Sequence, residues 1–155
     1  MNKPLFILLT TAMIMVFSAV DADVTGSGEN GFSIHHVIAL DARPEAAYLS
    51  IDARAGGCFC EKLADGGSMQ HMLITWAQPG KELRMTGGLG PLQMMGVHGG
   101  MQWRLKPADE GSVLEYNYVV TGFSPDGLAA LAPIVDTVQG QQLEALRSYL
   151  AQPED

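Results

Sequence analysis

The pattern that most constrains this chain is a series of short apolar–polar alternations ending in one long apolar stripe of helical period. Alternation at period two buries one face of a strand, whereas apolar residues three to five apart build the buried face of a helix. Residues 32–40 place Phe32, Ile34, His36, Ile38 and Leu40 on one face. Arg43-Pro44-Glu45-Ala46-Ala47-Tyr48 starts like a helix, with proline near the first position, and stops where Leu49-Ser50-Ile51-Asp52 resumes alternation. Gly56-Gly57 opens a third strand through about Leu63, and Asp65-Gly66-Gly67 is a hairpin signal. Residues 69–76 and 83–86 are strand-like, separated by the turn Gln78-Pro79-Gly80-Lys81, and residues 87–96 form a glycine-rich loop. Residues 97–106 carry Met101, Trp103 and Leu105 on one face, and residues 113–122 carry Tyr116, Tyr118 and Val120.

The period changes after Ser124-Pro125-Asp126-Gly127. Leu128, Leu131, Val135, Val138, Leu143, Leu146 and Leu150 form the stripe of an amphipathic helix. Pro133 predicts a break or a restart with proline in the first turn. Gly140 weakens the helix by roughly 1 kcal/mol relative to Ala. Strands in series followed by one long helix predict an α+β fold: a curved antiparallel sheet of about six to seven strands packed on the C-terminal helix. Such a pairing leaves a concave apolar space between sheet and helix, the usual setting of a small-molecule site.

Charge narrows the function. The chain has 9 Lys and Arg against 17 Asp and Glu, a net charge of −8. That excess disfavours nucleic acid, whose phosphates need cations to replace their counterions, and anionic membrane surfaces for the same reason. Residues 1–22 read as a secretory signal peptide: Lys3, an apolar run, then Val20 and Ala22 as the small residues before a cut at Asp23. The run is shorter than the ~20 residues a membrane span requires. Cleavage removes Lys3 and Asp21, one charge of each sign, and predicts a periplasmic or secreted protein with no membrane attachment. Residues 23–30 are small and polar and read as a flexible linker. The formal GxGxxG match at residues 26–31 lacks the preceding strand and following helix of a dinucleotide site. A domain over residues 31–151 and a tail at 152–155 complete the organisation.

Residues 32–47, Asp52-Ala53-Arg54-Ala55-Gly56-Gly57-Cys58-Phe59-Cys60-Glu61, Pro79-Gly80-Lys81, Gly90-Pro91-Leu92 and Gly127-Leu128-Ala129-Ala130-Leu131-Ala132-Pro133 stand in an order that resembles the START-like, or SRPBCC, superfamily of helix-grip proteins. The resemblance is nearest to the branch named for activators of a heat-shock chaperone ATPase, with its polyketide-cyclase-like members. It implies the helix-grip fold and a pocket for an apolar small molecule, and leaves the activity open because this fold hosts binding, transfer and catalytic proteins. One departure is large. The superfamily usually places two helices after its first strand, and here they are largely missing. An uncovered pocket mouth favours self-association, and a homodimer is the form expected.

The candidate cavity residues are Ile34 and His36 on the first strand, Cys58 and Cys60 on the third, His71 and Leu73, Met101 and Trp103, Tyr116 and Tyr118, and Leu131, Val135 and Val138 on the helix. Cys58 and Cys60 share a strand face at about 6.5–7 Å between Cα atoms, the edge of disulfide reach. The plain reading is a pair of reduced thiols packed as small hydrophobes. The alternatives are a disulfide or redox pair, and a soft-metal site completed by His71 or His98 with Met69, Met72, Met94 and Met95. No standard metal spacing is present, and no metal or cofactor is expected. His71 shares a face with Met69, Leu73 and Thr75 and is the candidate ligand-orienting group, or a general acid or base. His36 reads as a core histidine; His35 lies on the opposite face, and His98 belongs to an exposed set. Glu61, Glu115 and Asp136 show no paired spacing, so glycoside hydrolysis lacks support. Neither a GxSxG elbow nor a Walker loop occurs. The leading expectation is an exported binding protein for an apolar or amphipathic molecule. The alternatives are a cyclase- or dehydratase-like enzyme using His71, and a protein-interaction module.

Overall fold

A computed structural model describes residues 21–44, 51–63 and 66–152. Seven strands form one antiparallel sheet: β1 (Asp21–Gly28), β2 (Gly31–Leu40), β3 (Cys58–Lys62), β4 (Ser68–Gln78), β5 (Glu82–Gly87), β6 (His98–Pro107) and β7 (Ser112–Thr121). Their order is β1-β2-β7-β6-β5-β4-β3. The chain leaves β2, crosses to β3 at the far edge, and returns strand by strand until β7 pairs with β2. Among the described residues one α-helix, α1 (Ala132–Leu150), follows. Among the described residues no helix is long and apolar enough to cross a membrane. The signal-peptide reading of residues 1–22 falls outside the described residues except for Asp21 and Ala22.

The expected alternation is realised in the middle of the sheet. Phe32, Ile34, His36, Ile38 and Leu40 of β2 are all buried, as are Met101, Trp103 and Leu105 of β6 and Leu114, Tyr116, Tyr118 and Val120 of β7. Cross-strand register sets Tyr118 between Ile34 and Met101, and Tyr116 between His36 and Trp103. Gly99 makes room for this packing: a Cβ there would lie 2.4 Å from Tyr118 Cε2.

Two expectations are corrected. Residues 23–30 are not a linker. They lie within β1, an antiparallel edge strand paired with β2 from Asp21↔Val37 to Gly28↔Gly31. Backbone hydrogen bonding builds this strand, with Val24 alone among its described side chains packed on the core, so its apolar pattern is faint. Ile51 and Asp52 belong to no strand; residues 45–50, which include most of the helical stub, lie outside the described residues.

Helix α1 begins at Ala132 after a 3-10 turn over Ala129–Leu131. Pro133 therefore stands in the first turn, where its missing N–H removes no helical bond. The helix packs on β1 and β2. Gly140 faces His36 across this contact, where a Cβ would meet His36 Cε1 at 3.4 Å, ordinary van der Waals distance. The rest of the sheet's inner face is left partly uncovered, and the cavity lies there.

Candidate functional site: an open apolar cavity

The cavity has a volume of about 720 Å³. Phe59, Cys60, Glu61 and His71 form one wall from β3 and β4, and Met101, Trp103 and Tyr116 form the floor from β6 and β7. The 3-10 turn Gly90–Gln93 supplies Gly90, Pro91 and Leu92, with Leu89 before it. The roof is the segment from Leu131 through α1, with Val135, Val138, Gln139 and Leu146. Only Ala132 and Leu143 of α1 are fully buried, while Ile134, Val138 and Tyr149 are exposed apolar side chains on the cavity rim. The helical stripe therefore has more apolar surface than the sheet covers.

The cavity brings together Cys60, His71, Met101, Trp103, Tyr116, Leu131, Val135 and Val138 from the expected set. Ile34 and His36 are buried but do not line it. Tyr118 is wholly buried, and its hydroxyl accepts a hydrogen bond from the Leu89 backbone N–H at 3.3 Å. Burial pushes its phenol up to about 12. Cys58 borders the cavity only through its bond to Cys60.

Leu73 is a clear correction. The β3–β4 register pairs Phe59 with Met72 and Cys60 with Gln70, leaving His71 as an extra, unpaired residue in β4. Such a bulge shifts the alternation by one position. Met69 and His71 are half-buried on one side of it, Met72 and Ile74 are buried beyond it, and Leu73 is 41% exposed. His71 thus reaches the cavity, but not in company with Leu73 and Thr75.

The second correction concerns the thiols. Cys58 and Cys60 form a disulfide, with Cα atoms 5.4 Å apart. The separation is shorter than in a fully extended strand, and the pairing register slips between Phe59 and Cys60. With both sulfurs in this bond, neither is a reduced thiol packed as a small hydrophobe nor a thiolate ligand.

Two polar stations interrupt the apolar lining. Tyr116 donates its hydroxyl to Gln139 Oε1 at 2.8 Å, joining floor to roof. Desolvation holds the Tyr116 phenol well above its usual range, so it remains a neutral donor. At the opposite wall His71 Nε2 lies 3.0 Å from Glu61 Oε2, and the Phe59 ring tilts against the imidazole at 5.3 Å. Among the described residues, His71 Nδ1 and Trp103 Nε1 are buried without a hydrogen-bond partner. Each is a polar atom available for a hydrogen bond to a molecule in the cavity.

Beneath α1, His36 Nε2 lies 3.0 Å from Asp136 Oδ1. That is ion-pair distance, although among the described residues neither ring nitrogen makes a well-aligned hydrogen bond. Desolvation pushes His36 below the ordinary histidine value; Asp136 opposes this, and His35 adds slightly to it. Sequence reasoning missed Phe59, Glu61, Gln139 and the Leu89–Leu92 turn. Glu61 has no partner at a telling spacing, and the turn reaches the cavity only because β5 and β6 are neighbours.

An open seven-stranded antiparallel sheet holding one long C-terminal helix over an apolar cavity decides the architecture. The fold is helix-grip. Solved structures agree in fold. MLL2253 from Mesorhizobium loti matches with a TM-score of 0.59 at 17% identity, over 79% of this chain and 99% of that one. CalU16 from Micromonospora echinospora matches at 0.58 and 16% identity, over 86% and 87% of the two chains. The di-domain ARO/CYC BexL of the BE-7585A biosynthetic pathway matches at 0.56 and 14% identity, over 83% of this chain and 52% of BexL. No family model matches this helix-grip chain, and no curated protein does.

Proposed function

We propose that this helix-grip protein binds an apolar or amphipathic small molecule between its sheet and α1. The observation that carries the reading is the open cavity of about 720 Å³, lined mostly by apolar side chains, with hydrogen-bonded polar pairs at Tyr116–Gln139 and His71–Glu61. Apolar walls supply affinity through buried ligand surface, and the two stations orient a polar end. A ligand of about 25 non-hydrogen atoms at ~0.3 kcal/mol each would bind with ~8 kcal/mol, near a micromolar Kd. The Cys58–Cys60 disulfide supports an exported, periplasmic or secreted setting, where such bonds persist. Ile134, Val138 and Tyr149 at the rim favour a homodimer in the absence of ligand.

The test is native mass spectrometry of protein from its own exported fraction, with titration by an apolar fluorescent dye and a lipid extract. Retained ligand or displaceable dye is expected; failure of both to bind overturns the reading. One observation favours a second reading as a cyclase- or dehydratase-like enzyme. His71 stands at the cavity wall against the Glu61 carboxylate, with its other ring nitrogen unused, the arrangement of an oriented acid–base group. The ARO/CYC description of BexL supports that reading at the level of fold. His71→Ala then abolishes turnover while ligand binding persists; a variant with unchanged turnover refutes it.

A further inference from the structure

The binding reading leaves the disulfide without a role. The chain has 2 cysteines, and both are in this bond. Their sequence separation is 2, so the bond closes a very small loop. A loop that short removes little freedom from the unfolded chain, which makes the bond a poor structural staple. Its position is informative instead. Among the described residues, strand β3 is an edge of the sheet. Cys60 is exposed and lines the cavity, whereas Cys58 is half-buried and does not line it. A molecule lying against Phe59, Met101 and Trp103 therefore meets one residue of the pair, Cys60.

We propose that Cys58–Cys60 is a thiol–disulfide exchange site whose substrate is an apolar small-molecule thiol held in the cavity. The proposal rests on the binding reading. The ligand thiolate attacks Cys60 Sγ, and a bond forms between the ligand sulfur and Cys60. The Cys58–Cys60 bond breaks, and its electron pair leaves on Cys58 as a thiolate, which takes a proton from water. The ligand sulfur is oxidised as the Cys58 sulfur is reduced, so no other oxidant takes part. The product is a mixed disulfide tethering the ligand inside the cavity. Attack by Cys58 on Cys60 Sγ reverses the step and frees the thiol. Burial of the ligand's alkyl chain against the apolar walls raises the local concentration of its sulfur at Cys60, and a polar thiol lacks that advantage.

The experiment uses the oxidised wild-type chain with octanethiol and, separately, 2-mercaptoethanol, following adducts by mass spectrometry and mapping the modified cysteine by peptide analysis. Thiol titration should find no free thiol before reductant is added. The adduct should sit on Cys60 and form about tenfold faster, per thiolate, with octanethiol, since each alkyl carbon buried adds to affinity. Equal rates, an adduct on Cys58, or two free thiols in the untreated protein overturn the proposal. Anilinonaphthalene sulfonate displaced by octanol, which has no sulfur, reports the cavity separately. Dye displacement with equal thiol rates removes the exchange site and leaves the binding reading standing. Loss of both dye binding and octanethiol preference removes both.

Discussion

Replacing Asp136 with Asn tests how α1 is held on the sheet. His36 is 0% exposed and lies 3.0 Å from Asp136. Desolvation lowers its folded-state value below the ordinary 6.5, and the carboxylate limits that fall. A histidine depressed on folding binds fewer protons in the native state than in the unfolded chain. Its stability term is therefore intact above about pH 6.5 and is lost as pH drops toward the folded value. At pH 5, about 1.5 units below the unfolded value, keeping the ring wholly neutral costs at most about 2 kcal/mol, at ~1.36 kcal/mol per unit. Wild type loses less than this ceiling, because Asp136 partly stabilises the cation. Asp136→Asn removes that support and brings the loss between pH 8 and pH 5 toward the full ~2 kcal/mol. At pH 8, where the ring is neutral, the same variant costs no more than about 1 kcal/mol, the worth of one polar contact. Urea unfolding at both pH values measures the terms, and His36→Leu supplies the background in which the extra acid loss should vanish. The reasoning is refuted if Asp136→Asn is no more acid-sensitive than wild type, or if the added sensitivity survives without His36.

Gly99→Ala should destabilise the protein by about 1–3 kcal/mol in urea unfolding, because its Cβ would lie 2.4 Å from the buried Tyr118 ring; an unchanged midpoint refutes the packing. Gly140→Ala should be neutral or stabilising by up to about 1 kcal/mol, since helix propensity favours Ala and the nearest atom, His36 Cε1, is at 3.4 Å. A loss above that size would show that β2 and α1 tolerate no adjustment. Val138→Trp, at a 45% exposed position on the cavity roof, should lower dye affinity about tenfold by occupying ligand space while leaving the unfolding midpoint within ~0.5 kcal/mol of wild type. Unchanged dye affinity would place binding elsewhere.

Elements that bury a side-chain pattern were legible in the sequence. The inward residues of β2, β6 and β7 follow their alternation without interruption, and the stripe Leu131, Val135, Leu143, Leu146 announces the helix. Strand β1 was not legible, because an edge strand built from Gly26, Ser27 and Gly28 depends on backbone pairing with β2. The face of β4 was misread at Leu73 because the single extra residue at His71 reverses the alternation, and such a bulge leaves no mark in a hydrophobic pattern. Glu61 and Gln139 show the same limit within the site. Gln139 gains its partner only when α1 folds back over β7, and Glu61 meets His71 only through the register of the β3–β4 hairpin, which residue spacing does not specify.

The residues alone determined the architecture, since period two and helical period each demand a different buried face. Tertiary structure decided the rest: which strands are neighbours, where the sheet slips by one residue, and how much of its inner face α1 leaves bare. Those outcomes depend on how strands pair and pack on α1, and the spacing of apolar residues carries no record of them.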